Sequence, residues 1–176
     1  MARAYTGRIF DGDGHVLEDH QAIKDRMPKA WTDARAMGRL GPIPELDNYH
    51  GLLSITPPGS FSNPEKAKGW TEFMNELHVD GSVLYPTDAL SVGRMVDLDQ
   101  TIAFTAAYND WIHDEYLVKE PRLQAVALLP MQEPSEAVRE LRRAVTELGM
   151  CGAMLPATGL KSNLGAKEYW PVYEEA

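Results

Sequence analysis

From residue 70 onward, short apolar runs alternate with helical stretches, and that alternation leaves few folds open. Residues 70–77 read as helix, and 81–85 (GSVLY) as a strand closed by Pro86. A long helix is predicted over 98–118, with Asp97 as its N-cap and Gln100 three residues on. Its inner face at helical spacing is Leu98, Ile102, Thr105, Asn109, Ile112 and Tyr116. Residues 122–129 (RLQAVALL) form a strand stopped by Pro130. An amphipathic helix follows over 135–148, with Pro134 suited to its first position and Gly149 to the residue behind it. A further strand over 151–155 ends at Pro156, and residue 169 opens another helix. Such repetition means parallel strands joined by crossover helices. Continuous apolar strands fit a sheet covered on both faces. An open doubly wound sheet and part of a (β/α) barrel both satisfy the pattern, and both bind ligands at the carboxyl ends of strands.

The chemistry concentrates just before this regular part, in Asp11-Gly12-Asp13-Gly14-His15. A first strand is predicted over 8–13. If extended structure runs to His15, the two-residue alternation sends Asp11, Asp13 and His15 to one face. Three ionisable groups on one face are costly to bury unless a proton or a metal compensates them. A carboxylate and an imidazole two residues apart on a strand can reach one divalent ion. Imidazole suits Zn or Mn, and carboxylate suits Mn, Mg or Zn. A lone D-x-H is more often a turn aspartate beside an ordinary histidine. The strand-end position and the extra acid Asp11 tip the balance toward a metal.

Between residues 18 and 68 lies an insertion holding Pro28, Pro42, Pro44, Pro57, Pro58 and Pro64, half of the 12 prolines. A stretch of this length is either functional or disordered. Trp31, Tyr49, Phe61 and Trp70 favour packing, with short helix near 21–25 and 31–38. The net charge of −9 argues against nucleic acid and anionic membranes as partners. One cysteine, Cys151, allows no internal disulfide and suits the cytoplasm. The first residues contain no apolar signal-peptide core, and no run reaches the roughly 20 apolar residues of a membrane span.

Other residues carry weaker signals. Glu18 reads equally as a pocket acid or as an acid at a helix N-terminus. Thr87 ends the second strand on the expected rim, where a plain turn role is the commoner one. His50 can line the pocket if the Pro-rich stretch folds over it. Asn109, Trp111 and His113 are expected in packing roles on the long helix, and Cys151 as inert core. The cluster Arg139, Arg142 and Arg143 reads as a solvated helix face.

Phe10-Asp11-Gly12-Asp13-Gly14 resembles the first motif of haloacid-dehalogenase-type phosphatases, a strand ending in D-x-D-G. Against it, His15 stands where that family has threonine or valine, and no lysine is followed by a G-D-x-x-x-D strand end. A broader resemblance is to the amidohydrolase-2 family, the ACMSD-like metal-dependent hydrolases and decarboxylases. It is carried by Asp11 to Glu18, Val79 to Thr87, Tyr108 to Trp111, and Arg122 to Met131. The run Ala137 to Arg143, leading to Gly149–Pro156, and Tyr169 to Tyr173 complete it. It covers nearly the whole chain in order.

That resemblance implies a TIM-type (β/α) barrel, an α/β fold, of which about the first four βα units are present. Residues 1–176 then form one domain, the N-terminal half of a metal-dependent hydrolase barrel, with the insertion at about 18–68 after strand 1. Family members place H-x-H or E-x-H at the end of strand 1, and the matching positions are Asp13 and His15. The carboxylate moves the preference from Zn toward Mn. The family's remaining ligands and its catalytic histidine follow strands 5, 6 and 8, beyond residue 176. The implied activity is hydrolysis or decarboxylation of a small aromatic or enoic carboxylic acid. The alternative is a catalytically incomplete half-barrel that needs a second half-barrel chain or pairs with itself. The phosphatase remains a third reading.

Overall fold

Four strands, β1 (Phe10–Val16), β2 (Gly81–Pro86), β3 (Leu123–Leu128) and β4 (Gly152–Met154), lie parallel in the spatial order β1-β2-β3-β4. The computed structural model describes residues 6–32 and 66–176. Its helices are α1 (His20–Lys24), α2 (Lys29–Thr32), α3 (Ala67–Leu77), α4 (Leu98–Ile112), α5 (Pro134–Thr146) and α6 (Trp170–Glu175). Each strand is placed beside its predecessor, always stepping the same way. Right-handed crossovers repeated in one direction put the connecting helices on one side. A doubly wound sheet reverses its order midway. The sequential order therefore selects the barrel type, with four of its βα units.

The sheet accordingly has a helix side and an opposite side, which among the described residues is open at Phe10 and Gln124. Ser82 and Leu84 of β2 share the helix side with Leu123 and Ala125 of β3, their register partners. All four are buried there, in a core that includes Phe104, Tyr108 and Trp111 of α4. The buried stripe of α4 is rotated from the predicted one. Leu98 is exposed and Ile102 only half-buried, whereas Phe104, Tyr108 and Trp111 are fully enclosed. The reason is that α4 packs against both β3 and α1, so its buried arc is wider than one stripe. Beyond Ile112 the chain forms a π-helical turn, His113–Leu117, in place of the regular helix expected to 118.

Several local predictions match. Asp97 caps α4, accepting the Gln100 N–H at 2.9 Å. Pro134 opens α5, and Gly149 takes the left-handed conformation (φ 68°) that closes it. Cys151 differs: it is exposed rather than core, standing just before β4 with its Sγ 3.3 Å from the Ala125 carbonyl. The residues 33–65 of the insertion, His50 included, lie outside the described residues.

Two polar clamps brace the sheet. Asn109 Nδ2 donates to the Leu128 carbonyl (3.0 Å) and to Glu140 (2.7 Å), while Asn109 Oδ1 accepts the Leu128 N–H (2.9 Å). The carboxyl end of β3 is thereby tied to α4 and α5. At the opposite end, Glu120 accepts from Thr71 (2.7 Å) and from the Arg122 guanidinium (2.8 and 3.0 Å). These bonds hold its carboxyl down at about 2.

Candidate metal centre

The strand that carries the motif is not regular. Asp11 pairs with Ser82 and Gly14 with Leu84, so three steps on β1 oppose two on β2. This bulge inverts the alternation. Asp11 falls on the helix side, where its Oδ2 accepts from Ser82 Oγ at 2.8 Å and its Oδ1 from the Asp13 N–H at 3.1 Å. His15, paired with Tyr85, falls on the open side. The expectation that Asp11, Asp13 and His15 share one face is thus corrected. Asp11 braces the bulge from behind. Gly14 permits this arrangement, because a Cβ there would meet Ser82 Oγ and, at 2.8 Å, the Trp70 ring.

Asp13 and His15 do come together. His15 Nε2 lies 3.5 Å from Asp13 Oδ1, with the Asp13 side chain largely exposed and the imidazole mostly covered. Tyr85 stands beside the imidazole, ring centroids 6.1 Å apart. Its position could have been foreseen, since parallel pairing places an aromatic at the end of β2 opposite His15. The pair sits at the carboxyl edge of β1, where barrels carry their chemistry. A hard carboxylate and an imidazole are a donor set suited to Mn or Zn. Among the described residues, no group of three or more His, Cys, Asp or Glu is close enough to hold a metal by itself.

Glu18 and Thr87 are arranged around this pair. Glu18 is buried, and its carboxylate accepts from three successive backbone N–H groups. These are Thr87 (3.1 and 3.3 Å), Asp88 (3.1 Å) and Ala89 (2.9 Å), at the start of a 3-10 helix, Asp88–Arg94. Burial pushes its carboxyl up to about 7 despite those bonds. The nearby Tyr108 hydroxyl is raised well above its ordinary value by burial and then by the Glu18 charge. Thr87 is fully buried, with its Oγ1 3.4 Å from His15 Nδ1. Just outside lies a pair not foreseen from sequence, His20 Nε2 and Asp88 Oδ2 at 2.7 Å. That contact raises the His20 imidazole above its usual value. The rim loops are also tied together: Gln132 Nε2 donates to the carbonyls of Val92 (2.8 Å) and Met95 (3.0 Å). An open groove of about 410 Å³ between Arg26, Trp31 and α4 holds none of these residues.

The model of the amidohydrolase family matches residues 10–176. The chain belongs to the amidohydrolase family. That membership leaves the phosphatase reading without support, and Asp11, its would-be nucleophile, is committed to Ser82 and the bulge. Among curated relatives, a gamma-resorcylate decarboxylase of Polaromonas sp. is 33% identical over 107 residues. The match covers 57% of this chain and 32% of that protein. Two solved structures share the fold. A dihydroxybenzoic acid decarboxylase from Polaromonas sp., with bound manganese and the inhibitor 2-nitroresorcinol, has a TM-score of 0.61 at 23% identity, covering 97% of this chain and 46% of that one. A 5-carboxyvanillate decarboxylase from Novosphingobium aromaticivorans, complexed with manganese, has a TM-score of 0.65 at 18% identity, covering 96% and 47%. This amidohydrolase chain therefore spans under half the length of those solved relatives. Its fold is that of about the first four βα units of their TIM-type barrel. Among the described residues, no helix is long and apolar enough to cross a membrane.

Proposed function

We propose that Asp13 and His15 supply two ligands to a mononuclear divalent centre, manganese or zinc, in a decarboxylase or hydrolase of small aromatic or enoic carboxylic acids. The observation that carries this reading is the approach of His15 Nε2 to Asp13 Oδ1 at the carboxyl edge of β1. The manganese in the two decarboxylase structures and the decarboxylase relatives support it. A bound ion would supply Lewis-acid chemistry, compensating the charge of a substrate carboxylate or acidifying water. Asp13 brings the anionic charge that attracts the ion, and its exposure leaves it free to turn toward it. His15 offers a ring nitrogen on an imidazole flanked by Tyr85 and Thr87. Tyr85 presents an aromatic face suited to a planar substrate. On this reading residues 1–176 are one domain, and the setting is the cytoplasm.

The remaining ligands and the catalytic acid or base come from the second half of a barrel, in the same polypeptide or in a partner chain. The open sheet side favours such completion. It displays Phe10 at 58% exposure beneath the Arg8 guanidinium, with Gln124 exposed and Val83 and Tyr85 half-covered, whereas Val126 and Leu128 of that face are buried. An apolar surface of this kind calls for a cover. The test pairs light scattering with Mn2+ titration of the full chain and of Asp13→Asn and His15→Gln. The expected result is Mn2+ uptake that both substitutions weaken at least tenfold, with release of CO2 from a hydroxylated benzoic acid once the barrel is complete. Mn2+ uptake that Asp13→Asn and His15→Gln leave unchanged, or a completed barrel that takes up no Mn2+ or Zn2+, overturns the reading.

A further inference from the structure

We propose that Thr87, seated by Glu18, is the positioning residue that sets the His15 ring, holding Nδ1 inward so that Nε2 faces Asp13. The proposal deepens the reading of Asp13 and His15 as ligands and rests on it for its functional meaning.

Three observations converge on it. Thr87 is fully buried, and the contact of its hydroxyl is His15 Nδ1 at 3.4 Å. A buried hydroxyl needs such a partner. The Thr87 backbone is itself held by the Glu18 carboxylate, which gathers the N–H groups of Thr87, Asp88 and Ala89. Those bonds fix where the turn after β2 begins, and with it the position of Oγ1. Finally, Nε2 is the His15 nitrogen turned toward Asp13, 3.5 Å away. One ring nitrogen is therefore engaged by the scaffold and the other presented to the site.

A hydroxyl suits this place for a chemical reason. Metal ligation through Nε2 requires the proton on Nδ1, and the Thr87 hydroxyl oxygen can accept from that N–H, favouring this one tautomer. Outer partners of ligating histidines act in this way, and their loss costs 10–100-fold in metal affinity. Glu18 has a different part. It is acceptor-only when ionised, and its carboxylate reaches the chain 69 to 71 residues away. It thus locks the strand-1 loop to the strand-2 loop across β1 and β2.

The experiment uses the full chain labelled with 15N-histidine. Long-range 1H–15N spectra are recorded metal-free at pH 8.5, two units above the ordinary imidazole value of about 6.5, and Mn2+ affinity is measured by calorimetry. His15 is assigned by its missing signal in His15→Gln. Wild type is expected to show one dominant His15 tautomer. Thr87→Val is expected to raise the minor tautomer at least threefold and weaken Mn2+ binding about tenfold, and Thr87→Ser to restore both. Glu18→Gln should shift both in the Thr87→Val direction by a smaller amount. An unchanged His15 tautomer ratio in Thr87→Val overturns the proposal, whatever the metal does. If wild type takes up no metal while the tautomer responds to Thr87→Val and recovers in Thr87→Ser, the positioning holds and the metal reading falls. Thermal melts of each variant separate loss of fold from loss of ring orientation.

Discussion

Asn109→Ala removes a side chain that makes three buried hydrogen bonds. Two go to the N–H and the carbonyl of Leu128, and one to Glu140. Leu128 is fully buried, so water cannot easily replace the lost partner. Each orphaned backbone group costs about 1–3 kcal/mol. Glu140 keeps its contacts with Arg143 at 2.7 and 2.9 Å and adds little to the loss. The expected destabilisation is about 3–4 kcal/mol, or roughly 6–16 °C in Tm for a domain of this size. Asn109→Asp is a sharper probe. It retains an acceptor for the Leu128 N–H but loses both donated bonds. It also sets a second carboxylate where Nδ2 now lies 2.7 Å from Glu140. At pH 7 it should be at least as unstable as the alanine variant, and it should recover as the pH falls and one carboxyl of the pair protonates. Urea unfolding followed by tryptophan fluorescence measures both. An alanine variant within about 1 kcal/mol of wild type refutes the idea that Asn109 anchors the carboxyl end of β3.

Other perturbations read other parts of the fold. The Glu120 carboxyl is held at about 2 against an ordinary value of 4.5, so its contribution is complete above pH 4.5 and lost as pH falls toward 2. After solvent screening this amounts to about 1–2 kcal/mol, and Glu120→Gln should flatten that part of an acid-unfolding curve. Glu18 has the opposite sign, because its folded value of about 7 lies above the ordinary 4.5. Its contribution is greatest below pH 4.5 and falls by about 3 kcal/mol as pH rises through 7, a slope that denaturant melts at pH 5 and 8 should reveal and that Glu18→Gln should abolish. Gly14→Ala forces a methyl against Ser82 Oγ and the Trp70 ring, and should cost about 1–3 kcal/mol by thermal melt, whereas Gly12→Ala, with nothing within 4 Å, should be far milder.

Particular elements show where sequence reasoning reaches and where it stops. The cap at Asp97, the helix start at Pro134 and the left-handed turn at Gly149 depend on neighbours a few residues away, so local chemistry suffices to place them. The buried arc of α4 does not, because α1 covers it from a side that periodicity along α4 cannot register. Glu18 could be recognised as an acid near a helix start, but the helix it serves begins 70 residues later. Tyr85 was recoverable in principle from parallel pairing, since it ends the strand next to His15.

By itself the sequence determined that apolar strands alternate with helices and that an aspartate and a histidine close the first strand. Those properties are written in spacings of two to four residues, the range over which backbone geometry acts directly. Tertiary structure decided which face each side chain took. The bulge at Asp11–Gly14 exists only as a mismatch of register between β1 and β2, and it sends Asp11 behind the sheet while His15 faces outward. The seat of that imidazole was decided in the same way, by Thr87 and Glu18 meeting across two strands.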